Sequence, residues 1–198
     1  KSRWFCAAVC LTFAIFVFEK SFESYQKSVF TMKEISVSQL TDNMFDAIGK
    51  EWMLVTAGTP DHFNMMTASW GGVGILWGKP VAFVFIRPER YTHEYIEQSS
   101  HLTLSFLGEE HRSILNFCGT KSGRDVNKVE ATGLRPLTTP GSQVTYEQAR
   151  LTLECRKLYK THMQPDEFID KSNLEKWYGE RGGLHDVYVV EIEHVYVR

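Results

Sequence analysis

The stretch Asn64–Thr92, NMMTASWGGVGILWGKPVAFVFIRPERYT, decides how the chain is read. It opens on an alternating run in which Met65, Thr67 and Ser69 point to one face and Met66 and Ala68 to the other, as a strand requires. Gly71, Gly72 and Gly74 follow, and glycines so close together permit a tight turn or a close approach of backbone to a ligand. Pro80–Ile86 then gives a second β-rich apolar run, which exits into Arg87, Arg90, Tyr91 and Thr92. A phosphorylated ligand needs hydroxyls, N–H donors and a guanidinium fork, and Asn64, Thr67, Ser69, Arg87, Arg90, Tyr91 and Thr92 offer this set. The competing reading makes Thr and Ser ordinary strand formers and the arginines solvated surface charges.

Working outward, Trp52–Ala57 reads as a buried strand closed by Gly58-Thr59-Pro60, preceded by a weakly helical Asp42–Gly49. Downstream, a short helix is expected from Tyr91 to Gln98 with Thr92 as its N-cap, favouring an anion at the helix start. Leu102–Phe106 alternates as a strand, Glu110–Cys118 reads as a helix ended by Gly119, and the loop GTKSGRDVNK runs to Lys128. Ala149–Tyr159 and Asp186–Val197 are later strands, with Pro165–Gly183 between them as a loop with short helical turns. Closely spaced strands and few long helices predict a mainly β fold, an antiparallel barrel in preference to a doubly wound parallel sheet.

The totals exclude several classes. At 198 residues one sizeable core is expected, and 43% hydrophobic with 13% aromatic residues is a globular composition with rings to spare for a pocket. A formal net charge of -2 gives no basic field for nucleic acid. Cys118 and Cys155 stand alone without a metal spacing and read as buried free thiols in a reducing compartment. The seven histidines form no HExxH pair, and no GxSxG elbow is present, so neither a metal nor a protein nucleophile is expected. Gly119–Arg124 lacks the phosphate-loop spacing of ATP-binding proteins but makes a flexible cationic loop suited to an anion. His162 and His185, in polar loops beside aromatic segments, are kept as candidates to meet a cofactor edge.

Residues 1–31 differ from the rest. Lys1 and Arg3 precede an apolar run from Trp4 to Phe18, short for a bilayer span and without a clean cleavage site. Three readings stay open: a membrane anchor, a cleaved export signal, or a reading frame extended upstream of a natural start at Met32. Residues 32–198 are expected to form the functional domain, cytoplasmic unless the extension anchors or exports it.

NMMTASWGG, KPVAFVFIRPERYT, LTLSF, GTKSGRDVNK and HDVYVVEIE, in this order and spacing, resemble the flavin reductase-like family and its flavoredoxin-type branch. The resemblance covers about Met32–Arg198 and implies an FMN-binding split β-barrel, a homodimer, and NADH or NADPH as electron donor. By matching position, Thr67, Ala68, Ser69 and Trp70 would run along the ring system and ribityl chain, and Arg90, Tyr91 and Thr92 would approach the phosphate. Ser105 and Phe106 would touch the flavin from the neighbouring strand, and Lys121, Ser122, Gly123 and Arg124 would close the phosphate end. His185 would stand near the nicotinamide or substrate side. Met65, Met66, Trp70 and Trp77 suit the ring's need for apolar walls. The implied function is an NAD(P)H-dependent flavin oxidoreductase passing electrons to flavin or another acceptor. The alternative is an FMN-containing electron carrier fed by a redox protein partner.

Overall fold

The computed structural model describes residues 30–179 and 183–198; most of the N-terminal extension, and the short stretch 180–182, lie outside the described residues. Ten strands are present among them: β1 Lys33–Ile35, β2 Met53–Thr59, β3 His62–Ala68, β4 Gly71–Leu76, β5 Lys79–Ile86, β6 His101–Phe106, β7 Pro136–Thr138, β8 Val144–Tyr146, β9 Leu151–His162 and β10 Asp186–Val197. Five α-helices join them: α1 Met44–Asp46, α2 Tyr91–Gln98, α3 Arg112–Thr120, α4 Lys128–Thr132 and α5 Lys171–Tyr178. No helix among the described residues is long and apolar enough to cross a membrane.

Eight strands form one antiparallel sheet in the order β3-β2-β6-β9-β10-β5-β4, with β1 added to the end of β10, while β7 and β8 pair separately. The two outer strands of that path, β3 and β4, are joined in sequence by Ser69 and Trp70 alone. Laid flat, they would stand six strand spacings apart, about 29 Å. The link from Ala68 to Gly71 reaches about 11 Å at most. The sheet must therefore curl until its two edges approach each other at Ser69-Trp70, although no backbone pairing joins β3 to β4. The concave side holds the core: Val55, Val84, Ile86, Leu104, Phe106, Leu151, Leu153 and Val190 are at most 2% exposed and belong to one cluster. Truncating one of these, Leu104→Ala for example, costs about 2–5 kcal/mol.

Three expectations need correction. The glycine run is a strand and no turn: Gly71–Leu76 pairs along β5 from Gly71↔Val84 to Leu76↔Lys79. Gly71 takes φ +155° there, and a Cβ on it would lie 2.6 Å from the Phe83 carbonyl oxygen, so the residue's function is close strand approach. Thr92 does not cap α2. The helix starts at Tyr91 behind Arg90, and the Thr92 hydroxyl is buried, accepting a hydrogen bond from Asn64 Nδ2 at 2.9 Å. The segment after Pro165 is more ordered than short turns, since α5 runs for eight residues behind an Asp170 cap.

Candidate functional site

The curl brings four distant pieces of chain around one pocket of about 230 Å³. Its lining is the end of β3 and the link (Met66–Trp70), Phe85 on β5, Arg87 and Arg90 beyond it, Trp177 on α5, and His185 just before β10. Pairing explains the meeting. Phe85 lies opposite Val187 and Ile86 opposite Asp186, so the residues leaving β5 and those entering β10 share one rim. The Trp70 ring meets Trp177 edge-on, centroids 5.1 Å apart at 88°, and tilts against His185 at 5.1 Å. These are the spacings at which aromatic pairs attract, and they build a wall suited to a planar, apolar ligand.

His185 is 8% exposed, and its Nδ1 lies 2.8 Å from the Tyr178 hydroxyl. Burial, and next the nearby Arg87 charge, push its pKa down to about 4. It is therefore neutral at physiological pH and can exchange a hydrogen bond with a ligand without adding charge. Arg87 is itself held: its Nη2 donates to the Trp177 carbonyl at 3.0 Å, and its guanidinium lies 5.3 Å from the Tyr178 ring centre. That bond ties α5 to the rim of β5.

Arg90 belongs also to a second, smaller pocket of about 170 Å³, lined by Glu89, Arg90, Tyr91, Thr92, Thr120, Lys121, Ser122, Gly123 and Lys128. Here the start of α2 meets the end of α3 and the loop before α4. Gly123 packs so tightly that a Cβ on it would lie 2.3 Å from Asn64 Oδ1, which fixes the loop against β3. The electrostatics are lopsided. Arg90 reaches no carboxylate among the described residues, only the Cys118 carbonyl at 3.4 Å, and burial followed by the Arg87 charge lowers its pKa. Lys128 is 4% exposed and donates to two backbone carbonyls, Met65 at 2.8 Å and Cys118 at 3.0 Å. Two largely desolvated cations side by side favour an anion between them.

The structure thus gathers Thr67, Ala68, Ser69, Trp70, Arg90 and His185 around the aromatic pocket, and Arg90, Tyr91, Thr92, Lys121, Ser122 and Gly123 around the cationic one. Others lie elsewhere. Asn64 and Arg124 line a larger, open groove of about 640 Å³ that continues past Tyr91, Gly123 and Lys128. Arg124 pairs with Glu94 and lies 4.6 Å from the Tyr91 ring centre. Ser105 and Phe106 line none of these pockets: both are fully buried, Phe106 in the core and Ser105 beside Thr145 at 3.1 Å. Thr67 spends its hydroxyl on the Leu115 carbonyl at 2.5 Å. Trp77 sits on the β4–β5 turn, 61% exposed. His162 bonds Asp186 at 2.7 Å, in a cluster with His93 and Glu97 whose carboxylates Lys160 already bridges at 2.8 and 2.9 Å.

A match to the flavin reductase like domain spans residues 45–198, most of the chain. The protein belongs to this family. No curated protein sequence matches it. Among solved structures, the family fold recurs in the flavoredoxin of Methanosarcina acetivorans, with TM-score 0.58 at 19% identity over 75% of this chain and 68% of that one. An FMN-binding domain of a flavin reductases-like enzyme from Shewanella baltica gives TM-score 0.61 at 16% identity over 84% and 77%. An NADH:FAD oxidoreductase from Streptomyces globisporus gives 0.56 at 13% identity over 75% of each chain. Within this flavin reductase-like chain, sequence reading missed Phe85, Trp177 and the burial of Lys128. Trp177 carries no local signal, because only the fold brings α5 to Trp70. Lys128 carries a faint one in its position behind an Asn127 cap, whose side chain accepts from Val129 and Glu130 N–H.

Proposed function

We propose that residues 32–198 form an FMN-binding oxidoreductase domain of the flavin reductase and flavoredoxin type, its curled sheet being the open side of a split barrel. One observation carries the reading: an aromatic pocket and a cationic pocket share a single residue, Arg90. A ligand with a flat ring system at one end and a phosphate at the other fits that pairing, and the residues present match both ends. Met66, Trp70, Phe85 and Trp177 would hold the ring, and Arg90, Thr92, Lys121 and Ser122 the phosphate. When bound, FMN supplies the acceptance of hydride from NADH or NADPH and delivery of electrons to flavin or another acceptor.

The chain's own contribution is positioning and electrostatics. Arg90, standing between the pockets, would anchor the phosphate by charge-assisted hydrogen bonds. Trp70 and Trp177 would exclude water from one side of the ring. Neutral His185, oriented by Tyr178, would offer a hydrogen bond near the donor or acceptor without adding a positive charge. The homodimer is carried over from the resemblance, and sedimentation measures it. The buried free thiols Cys118 and Cys155 favour the cytoplasm.

Rapid anaerobic mixing of the FMN-loaded protein with NADH and with NADPH tests the activity. Bleaching of the yellow flavin by either nucleotide is expected. A flavin that stays yellow with both replaces the enzyme by an electron carrier served by a protein partner.

A further inference from the structure

Lys128 is the least conventional group of the cationic corner. It is the first residue of α4, yet its side chain runs inward and is 4% exposed. Two of its three N–H donors are taken, by the Met65 and Cys118 carbonyls. No carboxylate lies within salt-bridge distance of it among the described residues, while Arg90 is a neighbouring like charge that also lacks one. A lysine kept only to tie β3 to α3 would do so more cheaply at the surface or with a neutral donor, because an uncompensated buried ammonium is costly. The same side chain lines the 170 Å³ pocket with Arg90, Thr92, Lys121 and Ser122.

We propose that Lys128 is the buried counter-cation of a phosphate monoester dianion in this pocket, and that it makes the site select phosphorylated flavin over riboflavin. The proposal rests on the flavin reading above and adds to it a determinant of specificity and a dependence on pH.

The pH dependence follows from what surrounds the ammonium. Arg90 faces it from the start of α2 and the Cys118 thiol from α3. Lys121, Arg124 and Asp125 stand in the loop before α4, Glu89 also lines the small pocket, and Asp61 and His62 line the larger groove. Burial, assisted by the Arg90 charge, leaves the Lys128 pKa lowered to about 8, and burial pushes the Cys118 thiol up to about 11, so that thiol is uncharged near pH 8. A dianion beside Lys128 raises its pKa again. Near pH 8 about half of the free protein's Lys128 must then gain a proton when the anion binds, an uptake of about 0.5 proton per phosphate. The phosphate's own second ionisation lies near 6, so it is already a dianion there. Affinity for FMN should be level from about pH 7 to 8 and fall above, approaching tenfold per unit, until the raised pKa is passed.

The test is isothermal titration of the full chain at pH 8 in two buffers of different ionisation enthalpy, with FMN, riboflavin and inorganic phosphate as separate ligands. Expected are an uptake of about 0.5 proton with FMN, a somewhat smaller one with inorganic phosphate, whose second ionisation lies closer to neutral, none with riboflavin, and a riboflavin affinity at least about tenfold weaker than that for FMN. Lys128→Arg, whose charge is fixed, should keep FMN binding and lose the uptake; the wild-type proton count stands if that variant does not fold. FMN binding without uptake, or equal uptake with riboflavin, overturns the inference and leaves the flavin reading intact. Phosphate binding with uptake but no flavin binding keeps the anion site and defeats the flavin reading. Binding of none of the three defeats both.

Discussion

Two buried polar regions of this chain are supplied with partners in different ways. Under β8, hydroxyls close on one another: Thr145 Oγ1 lies 2.5 Å from Thr152 Oγ1 and 3.1 Å from Ser105 Oγ. Thr103 donates to the Val144 carbonyl at 2.5 Å, and Thr56 meets the Tyr146 hydroxyl at 3.0 Å. Neutral groups satisfied in this way cost little to bury and fix the β7–β8 hairpin to the sheet. At the corner between α2, α3 and α4, by contrast, Arg90 and Lys128 are given carbonyls and no carboxylate. The first arrangement is complete within the chain; the second calls for an anion from outside it. Buried polarity alone therefore does not mark a site, whereas two adjacent desolvated cations without a counter-charge favour an anion.

If that contrast holds, stability and ligand affinity should separate by region. The largest effect is expected from Tyr146→Ala, which removes a fully buried ring: about 3–5 kcal/mol of unfolding free energy by denaturant titration. FMN affinity of the molecules that remain folded should not change, and a parallel loss would merge the two regions. Next comes Arg90→Ala, expected to weaken FMN by about 1–3 kcal/mol in equilibrium titration while leaving riboflavin affinity and the unfolding midpoint nearly unaltered. FMN affinity unchanged within error would remove Arg90 from the phosphate corner.

Smaller still is the pH response of His185. Because its pKa is lowered, the ring is already neutral above about pH 5, so its titration adds no inflection to the rate of flavin reduction between pH 5 and 8. An inflection near 6.5 that disappears in His185→Gln would show the ring to be charged in the working site. The least effect is expected at Trp77, exposed on the β4–β5 turn: Trp77→Ala should shift both stability and FMN affinity by less than about 0.5 kcal/mol.

The sheet was largely legible because alternation and β-branched runs are local signals, and β2, β3, β5, β6, β9 and β10 all carry them. The strand order was not, since it follows from pairing between strands far apart in sequence. Gly71, Gly72 and Gly74 misled for a physical reason: glycine permits a turn, and here the same freedom serves close strand pairing. Alternation could not assign a side to Ser105 and Phe106, because β6 is buried on both faces from Leu102 onward. The two pockets' shared residue was readable as the cationic exit of the Asn64–Thr92 stretch. Trp177 and the interior course of Lys128 are tertiary facts, set by where α5 and α4 pack, and no spacing in the sequence announces them.

The claim that the cationic corner recognises a flavin's phosphate is tested most directly by comparing the dissociation constants of FMN and riboflavin at pH 7, by quenching of flavin fluorescence on the purified chain. The account predicts saturable binding of FMN at least about tenfold tighter than riboflavin, since one charge-assisted contact alone supplies that factor. Equal affinity for the two, or no binding of either, would contradict it.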